Sequence, residues 1–193
     1  MLRAMELAPA LLAEDALALP RGGRRALPDQ AALAERGLAL RPLKRTDFPF
    51  LRALHAELRA ADVALAPRGA AGRAALLEQQ FRLQHAHFLS AHPRGDFCLV
   101  LQAGTPIGRF YFERARPDWL ALELGLTGAT RGAGIGTALI GWLQAASASA
   151  GAARLLLHVV TSNRNAARLY ERLGFADIAS DWPTHRRMAW HPG

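Results

Sequence analysis

Apolar positions along the chain switch between two periods, and the switches mark the elements. Residues 38–43 read as a first strand, with Pro42 marking its end or a sheet edge. Thr46 and Asp47 then supply a helix cap, and Phe50, Leu51, Leu54 and Leu58 recur at helical spacing. Residues 66–69 break the chain. A longer helix is predicted over 73–90, with Leu76, Leu77, Phe81, His85 and Phe88 on its apolar side. Three strands follow. The first, 97–101, is continuously apolar. The second, 107–113, alternates: Ile107, Arg109, Tyr111 and Glu113 share one face, and Gly108, Phe110 and Phe112 the other. The third is 119–126. Tight turns at 104–106 and 116–118 make these strands antiparallel. A helix over 134–150, a strand over 154–160, a helix over 163–173 and strands over 175–179 and 184–190 complete the pattern. The order gives a mixed α/β sheet with helices on both faces.

Residues 1–37 carry a different pattern. Leu7, Leu11 and Leu12 suggest a helical turn or two beyond Pro9. Residues 20–28 hold two prolines and Gly22-Gly23 and read as a loop or linker. A short helix over 30–36 ends at Gly37, the favoured residue just past a helix. The segment packs on the domain, packs on a second subunit in a homodimer, or is partly disordered.

The most informative stretch is Thr130-Arg131-Gly132-Ala133-Gly134-Ile135-Gly136-Thr137. It lies between a strand and a helix. Glycine lets the backbone approach a ligand closely. The first helical N–H groups have no helical partner, and the helix dipole favours an anion there. The lysine of a P-loop is missing. So is the acidic residue of a dinucleotide fingerprint, because no Asp or Glu stands between Glu123 and Glu171. Arg131, Gly134 and Gly136 instead fit Arg/Gln-x-x-Gly-x-Gly/Ala. Residues 163–175 fit Asn-x-x-Ala-x-x-Leu-Tyr-x-x-x-Gly-Phe at every fixed position, from Asn163 to Tyr170 and Phe175.

These two motifs, in this order and spacing, resemble those of the GNAT superfamily of acyl-CoA-dependent N-acyltransferases. The resemblance covers roughly residues 38–190. It implies an α/β (α+β) fold, with a mixed, mostly antiparallel sheet of about seven strands and helices on both faces. The fourth and fifth strands splay, and the cofactor enters the gap. Acetyl-CoA is the implied cosubstrate, and the acceptor is an amine of a small molecule or peptide. On this reading residues 1–37 are an extension and 38–193 the acetyltransferase-like domain. Backbone groups of Leu124 and Leu126 face the pantetheine arm, which Asn163 also reaches. Residues Arg131, Gly132, Ala133, Gly134, Ile135, Gly136 and Thr137 hold the loop or the pyrophosphate. Two positions depart from the family: Gly128, where a proline often sits, and Ala133, where a basic residue is common. Phosphate binding then leans on backbone N–H groups and on Arg164 or Arg168.

Composition narrows the setting. The 193 residues suffice for one domain and a substantial core. No apolar run approaches a membrane span, and Glu6, Glu14 and Asp15 interrupt the only leader-like stretch. One cysteine, Cys98, permits no internal disulfide, so a reducing cytoplasm is expected. It lies in an apolar run and reads as a buried structural thiol. The net charge of +8 invites a nucleic-acid reading. Its arginines are scattered through every segment, which argues for a solvated surface instead. His85 and His87, two apart, cannot share a helix face, and no metal-ligand spacing occurs, so no metal is expected.

Acyl transfer to an amine requires alignment of both reactants, removal of an amine proton, and a proton for the leaving thiolate. A lysine-like amine has a pKa near 10.4, so deprotonation at pH 7 costs on the order of 4 kcal/mol. The resemblance assigns the general acid to Tyr170. Glu123, a carboxylate in an apolar strand, is costly unless it is paired or faces a wet cleft. It reads as the base, or as one half of an ion pair with a buried arginine. His158, on the neighbouring strand, reads as a second candidate base or as a satisfied core histidine. A non-catalytic acyl-CoA binder that regulates a partner is the competing function. Acceptor choice falls to the loops around 62–72 and 180–185, neither of which carries a motif.

Overall fold

The computed structural model describes residues 17–20, 25–64 and 69–193. The turn expected beyond Pro9 and the break at 66–68 lie outside these residues. A short helix α1 (Ala31–Ala34) precedes β1 (Leu38–Pro42). A 3-10 turn, Arg45–Asp47, leads into α2 (Phe48–Ala64), and α3 (Ala70–Ala91) follows. The three-strand meander is β2 (Asp96–Gln102), β3 (Thr105–Arg114) and β4 (Asp118–Leu126). Next come a 3-10 turn at Gly128–Thr130, α4 (Ile135–Ser149), β5 (Arg154–Val160), α5 (Arg164–Arg172), β6 (Ala176–Ile178) and β7 (His185–Trp190). One seven-stranded sheet has the order β1-β2-β3-β4-β5-β7-β6. Among the described strands only β4 and β5 run parallel, because α4 is the crossover between them. Pro42 sits on an edge strand, as its missing N–H requires.

Each face of the sheet has its own core. On one face Cys98, Val100, Phe110, Phe112, Leu155, Leu157 and Met188 pack under Leu139, Ile140 and Leu143 of α4. On the other, Phe97, Leu99 and Tyr111 pack under Phe48 and Leu51 of α2 and Phe81 of α3. Cys98 is 1% exposed, and burial pushes its thiol pKa well up, so it is an inert core side chain. Asp47 starts α2. Its carboxylate accepts from Lys44 N–H at 2.7 Å and from both Arg41 Nη atoms at 2.7 Å.

Two bulges change faces that simple alternation assigns. A register shift opposite Val100/Leu101 leaves Ile107 unpaired in β3. Ile107 therefore joins the Phe110 and Phe112 cluster, not the Arg109 and Tyr111 face expected from the sequence. The second bulge lies between the partners of Tyr111 and Phe112, where Leu122 is the extra residue of β4.

Residues 25–37 pack on the α4 face. Leu33 is 1% exposed, the Gln30 amide grips Leu40 N–H and C=O, and Trp142 Nε1 donates to Asp29 C=O at 2.7 Å. Leu17 lies in the opposite core, and His85 donates from Nε2 to Ala18 C=O at 2.9 Å.

Candidate active site

β4 and β5 share hydrogen bonds only from Asp118/Arg154 to Ala121/Leu157. Beyond that point they part. Glu123 to Leu126 keep β3 on one side and have no β5 partner on the other. The Leu124 N–H and C=O and the Leu126 N–H thereby have no strand partner on that side and can meet a ligand between the strands. The gap is a cleft of about 250 Å3, and Glu123, Leu124, His158, Asn163 and Tyr170 all line it.

At the mouth of the gap the chain turns through the glycine loop. Gly132 has φ 78° and Gly134 φ 75°, the left-handed region where a side chain is strained. A Cβ at either position would meet nothing within 4 Å, so the loop surface is open to an incoming group. Gly134 is the N-cap of α4, and the first helical bond runs from Ala138 N–H to its carbonyl. The N–H groups of Ile135, Gly136 and Thr137 are left without helical partners. The Ile135 side chain turns into the core at 5% exposure, so this residue offers only its backbone. A Cβ on Gly136 would come within 3.3 Å of Leu169 Cδ2, which keeps α4 and α5 close. This cradle fits a pyrophosphate, and the unpaired edge of β4 fits an amide-bearing arm.

Arg131 braces the loop. Its Nε donates to Leu126 C=O at 3.0 Å, and its Nη2 reaches Glu57 Oε1 at 3.1 Å. The same Glu57 oxygen accepts the Gly128 N–H. A proline at Gly128 has no such N–H to give. A Cβ there would also stand 2.8 Å from that oxygen. The departure from the family pattern at Gly128 therefore goes with a local bond to α2. Ala133 is exposed and brings no charge; Arg164 and Arg168 are exposed on α5.

Glu123 owes its direction to the β4 bulge. Trp119 and Ala121 face the α4 core, and strict alternation would bury Glu123 there. With Leu122 as the extra residue, Leu124 and Leu126 take that face and Glu123 pairs with Tyr111 on the other. There Arg109 Nη2 donates to Glu123 Oε1 at 2.7 Å. The Arg109 side chain is 3% exposed. Burial works against its charge, while Glu123 and then Tyr111 restore it, and its pKa ends above the ordinary value. Arg109 also donates to Gln84 Oε1 of α3 and lies over the Tyr111 ring at 5.7 Å. The ion-pair alternative for Glu123 is thus present, and the carboxylate still lines the cleft.

Tyr170 enters from α5, edge-on to Phe175. Burial, with the charge of Glu123 adding, pushes its pKa up to about 12, so the phenol holds its proton at neutral pH. Asn163 caps α5 by accepting the Ala166 N–H at 3.1 Å, which leaves its amide N–H2 for other partners. His158 is exposed, against the core reading: β5 turns it to the face opposite α4, where its ring lies tilted beside Trp182 with centroids 5.2 Å apart. Desolvation, then Arg187 and His185, lower its pKa.

Four residues that line or brace the site were not singled out by the sequence: Glu57, Leu58, Arg59 and Arg109. Only Arg109, an arginine alternating with aromatics in a strand, carries a local hint of burial. Among the described residues no group of three or more His, Cys, Asp or Glu could hold a metal ion. None of their helices is long and apolar enough to cross a membrane.

The fold occurs among solved acetyltransferases. PaiA N-acetyltransferase from Thermoplasma acidophilum, in complex with coenzyme A, is 16% identical with a TM-score of 0.62, over 80% of this chain and 99% of that one. An acetyltransferase from Thermus thermophilus is 21% identical with a TM-score of 0.62, over 80% and 97%. A spermidine N-acetyltransferase chimera from Vibrio cholerae is 20% identical with a TM-score of 0.56, over 80% and 95%. No curated protein sequence matches the chain. The model of the acetyltransferase (GNAT) family matches residues 60–175, which contain the splayed strands, the glycine loop and α5. The chain belongs to the GNAT acetyltransferase family and is an acyltransferase.

Proposed function

We propose that the chain transfers an acetyl group from acetyl-CoA to the primary amine of a small molecule, peptide or protein, by direct attack in a ternary complex. Residues 38–193 form the domain that does so, and residues 1–37 are its extension. The observation that carries this reading is the splay of β4 from β5, with Tyr170 and Glu123 lining the one cleft it opens.

Acetyl-CoA supplies an activated acyl thioester, whose C–S bond breaks as the C–N bond to the amine forms. The backbone of Leu124 and Leu126 and the Asn163 amide hold the arm in line. The loop from Arg131 to Thr137 takes the pyrophosphate on its N–H groups. Glu123 draws a proton from the amine, directly or through one water, with Arg109 fixing its direction. Tyr170 gives its proton to the departing sulfur and recovers one from solvent. A phenol with a pKa near 12 is protonated whenever the enzyme works, as an acid must be.

One observation favours a second base. His158 lines the same cleft, is exposed, and has a lowered pKa, so its ring is neutral and able to accept a proton at neutral pH. The experiment is kcat against pH for wild type, Glu123→Gln and His158→Gln. With Glu123 as base, Glu123→Gln is most impaired at low pH and recovers towards the amine's pKa, while His158→Gln stays near wild type. The reverse result moves the base to His158.

A further inference from the structure

Between α2 and α3, beside the cleft, lies a second cavity of about 330 Å3. Its described walls are His55, Arg59, Asp62, Gln80 and Gln84. The two spaces adjoin. Arg59 borders both, and Arg109 in the cleft wall donates to Gln84 at 3.0 Å.

His55 is the wall that calls for a ligand. It is 2% exposed, and among the described residues neither ring nitrogen has a partner of hydrogen-bond geometry. Gln84 lies near enough to favour the protonated ring, but without that geometry. Burial first, then Arg109 and Arg59, hold the ring neutral, so it presents one N–H and one lone pair. Leaving such a group unsatisfied costs about 1–3 kcal/mol. Arg109 Nε is likewise buried without a partner.

The charges decide what fits. Glu123 is engaged by Arg109 at 2.7 Å. Among the described residues Arg59 is held only by Asp62, in an exposed pair at 3.1 Å with side chains 44% and 58% accessible. Such a pair contributes about 0–1 kcal/mol, so Arg59 can change partner at little cost. A carboxylate entering the cavity would take the Arg59 fork, a His55 N–H and the Gln80 amide. A cation would meet the Arg59 charge in the wall, with that of Arg109 behind Gln84. The net charge of +8 also draws anions to the surface.

Building on the acetyltransferase reading, we propose that this cavity seats a carboxylate of the acceptor. The amine acetylated then belongs to the amino-acid class, and the acid group sits against His55 and Arg59 while the amine lies in the cleft.

The test has two independent arms. In the first, NMR of the His55 ring, assigned with His55→Gln, follows titration with N-acetylalanine and with N-acetylalanine amide. The acid should shift the ring signals saturably and the amide should not, and Arg59→Met, folded by far-ultraviolet dichroism, should lose the response. No shift with the acid, or equal shifts with both, overturns the proposal. In the second, glycine, alanine and glutamate are each compared with their α-carboxamides as acceptors. Each acid should exceed its amide in kcat/KM by about tenfold or more. Turnover of the amides at equal rates would leave the acetyltransferase reading standing and overturn the carboxylate site.

Discussion

On the sheet face under α4 and α5, the cleft is edged by backbone groups, glycines and aliphatic side chains. On the face under α2 and α3 it is edged by buried Arg109 and half-buried Glu123, and the adjoining cavity by buried His55 and half-buried Gln84. The first face asks little of side-chain identity and much of φ. The second is the opposite: its bonds join residues 14 to 74 positions apart, and removing one member strands the rest. A backbone cradle suits a cosubstrate common to many enzymes, and a polar side-chain network suits a particular acceptor.

Four experiments break or sharpen that contrast. The largest effect falls where the faces meet. Tyr170→Phe keeps the ring and should bind acetyl-CoA nearly as well, while kcat falls by up to about 10²–10⁴. Single-turnover kinetics with calorimetry measures both, and an unchanged kcat would remove Tyr170 as the acid. Next, Arg109→Met should cost about 3–5 kcal/mol in urea denaturation, because it leaves Glu123 charged and unpaired. Arg109→Met combined with Glu123→Leu should regain part of that loss. A single variant as stable as wild type would mean that the pair is not stabilising.

Gly134→Val should weaken acetyl-CoA binding at least about tenfold by calorimetry. The valine must adopt φ 75° and covers the open loop. Unchanged affinity in the folded variant would take the loop out of the site. The mildest effect is a slope with pH. His55 and His85 are buried with lowered pKa values, so below their ordinary value of 6.5 the unfolded chain binds protons that the folded rings refuse. Stability is therefore greatest above pH 6.5 and falls as pH drops, by up to about 1.4 kcal/mol per ring per pH unit. Urea midpoints from pH 7 to 5 should show it, and His55→Gln should flatten the slope. A wild-type slope unchanged in the variant would show that His55 does not titrate in this window.

The α4 face was largely legible in advance. The glycine loop, Asn163 and Tyr170 lie within two short segments, and their geometry follows from helix ends and glycine φ. The strand pattern was legible too, except where bulges intervene. Ile107 changed faces and Glu123 found its ion pair because a bulge alters register, and register belongs to two strands at once. His158 read as core because an apolar strand surrounds it; its side chain lies on the face opposite Leu157 and Val159 and is exposed beside Trp182.

The sequence alone therefore determined the elements, the order of the motifs, the family they imply and the place where an anion can meet a helix. Those properties depend on neighbours a few residues apart. Only the tertiary structure decided that Glu57 would tie Gly128 and Arg131 to α2. It alone decided that Arg109 would stand between Glu123 and Gln84, and that His55 would be buried in a cavity wall without a partner. These are properties of pairs, and a pair is set by packing and register across the sheet, which no local pattern encodes.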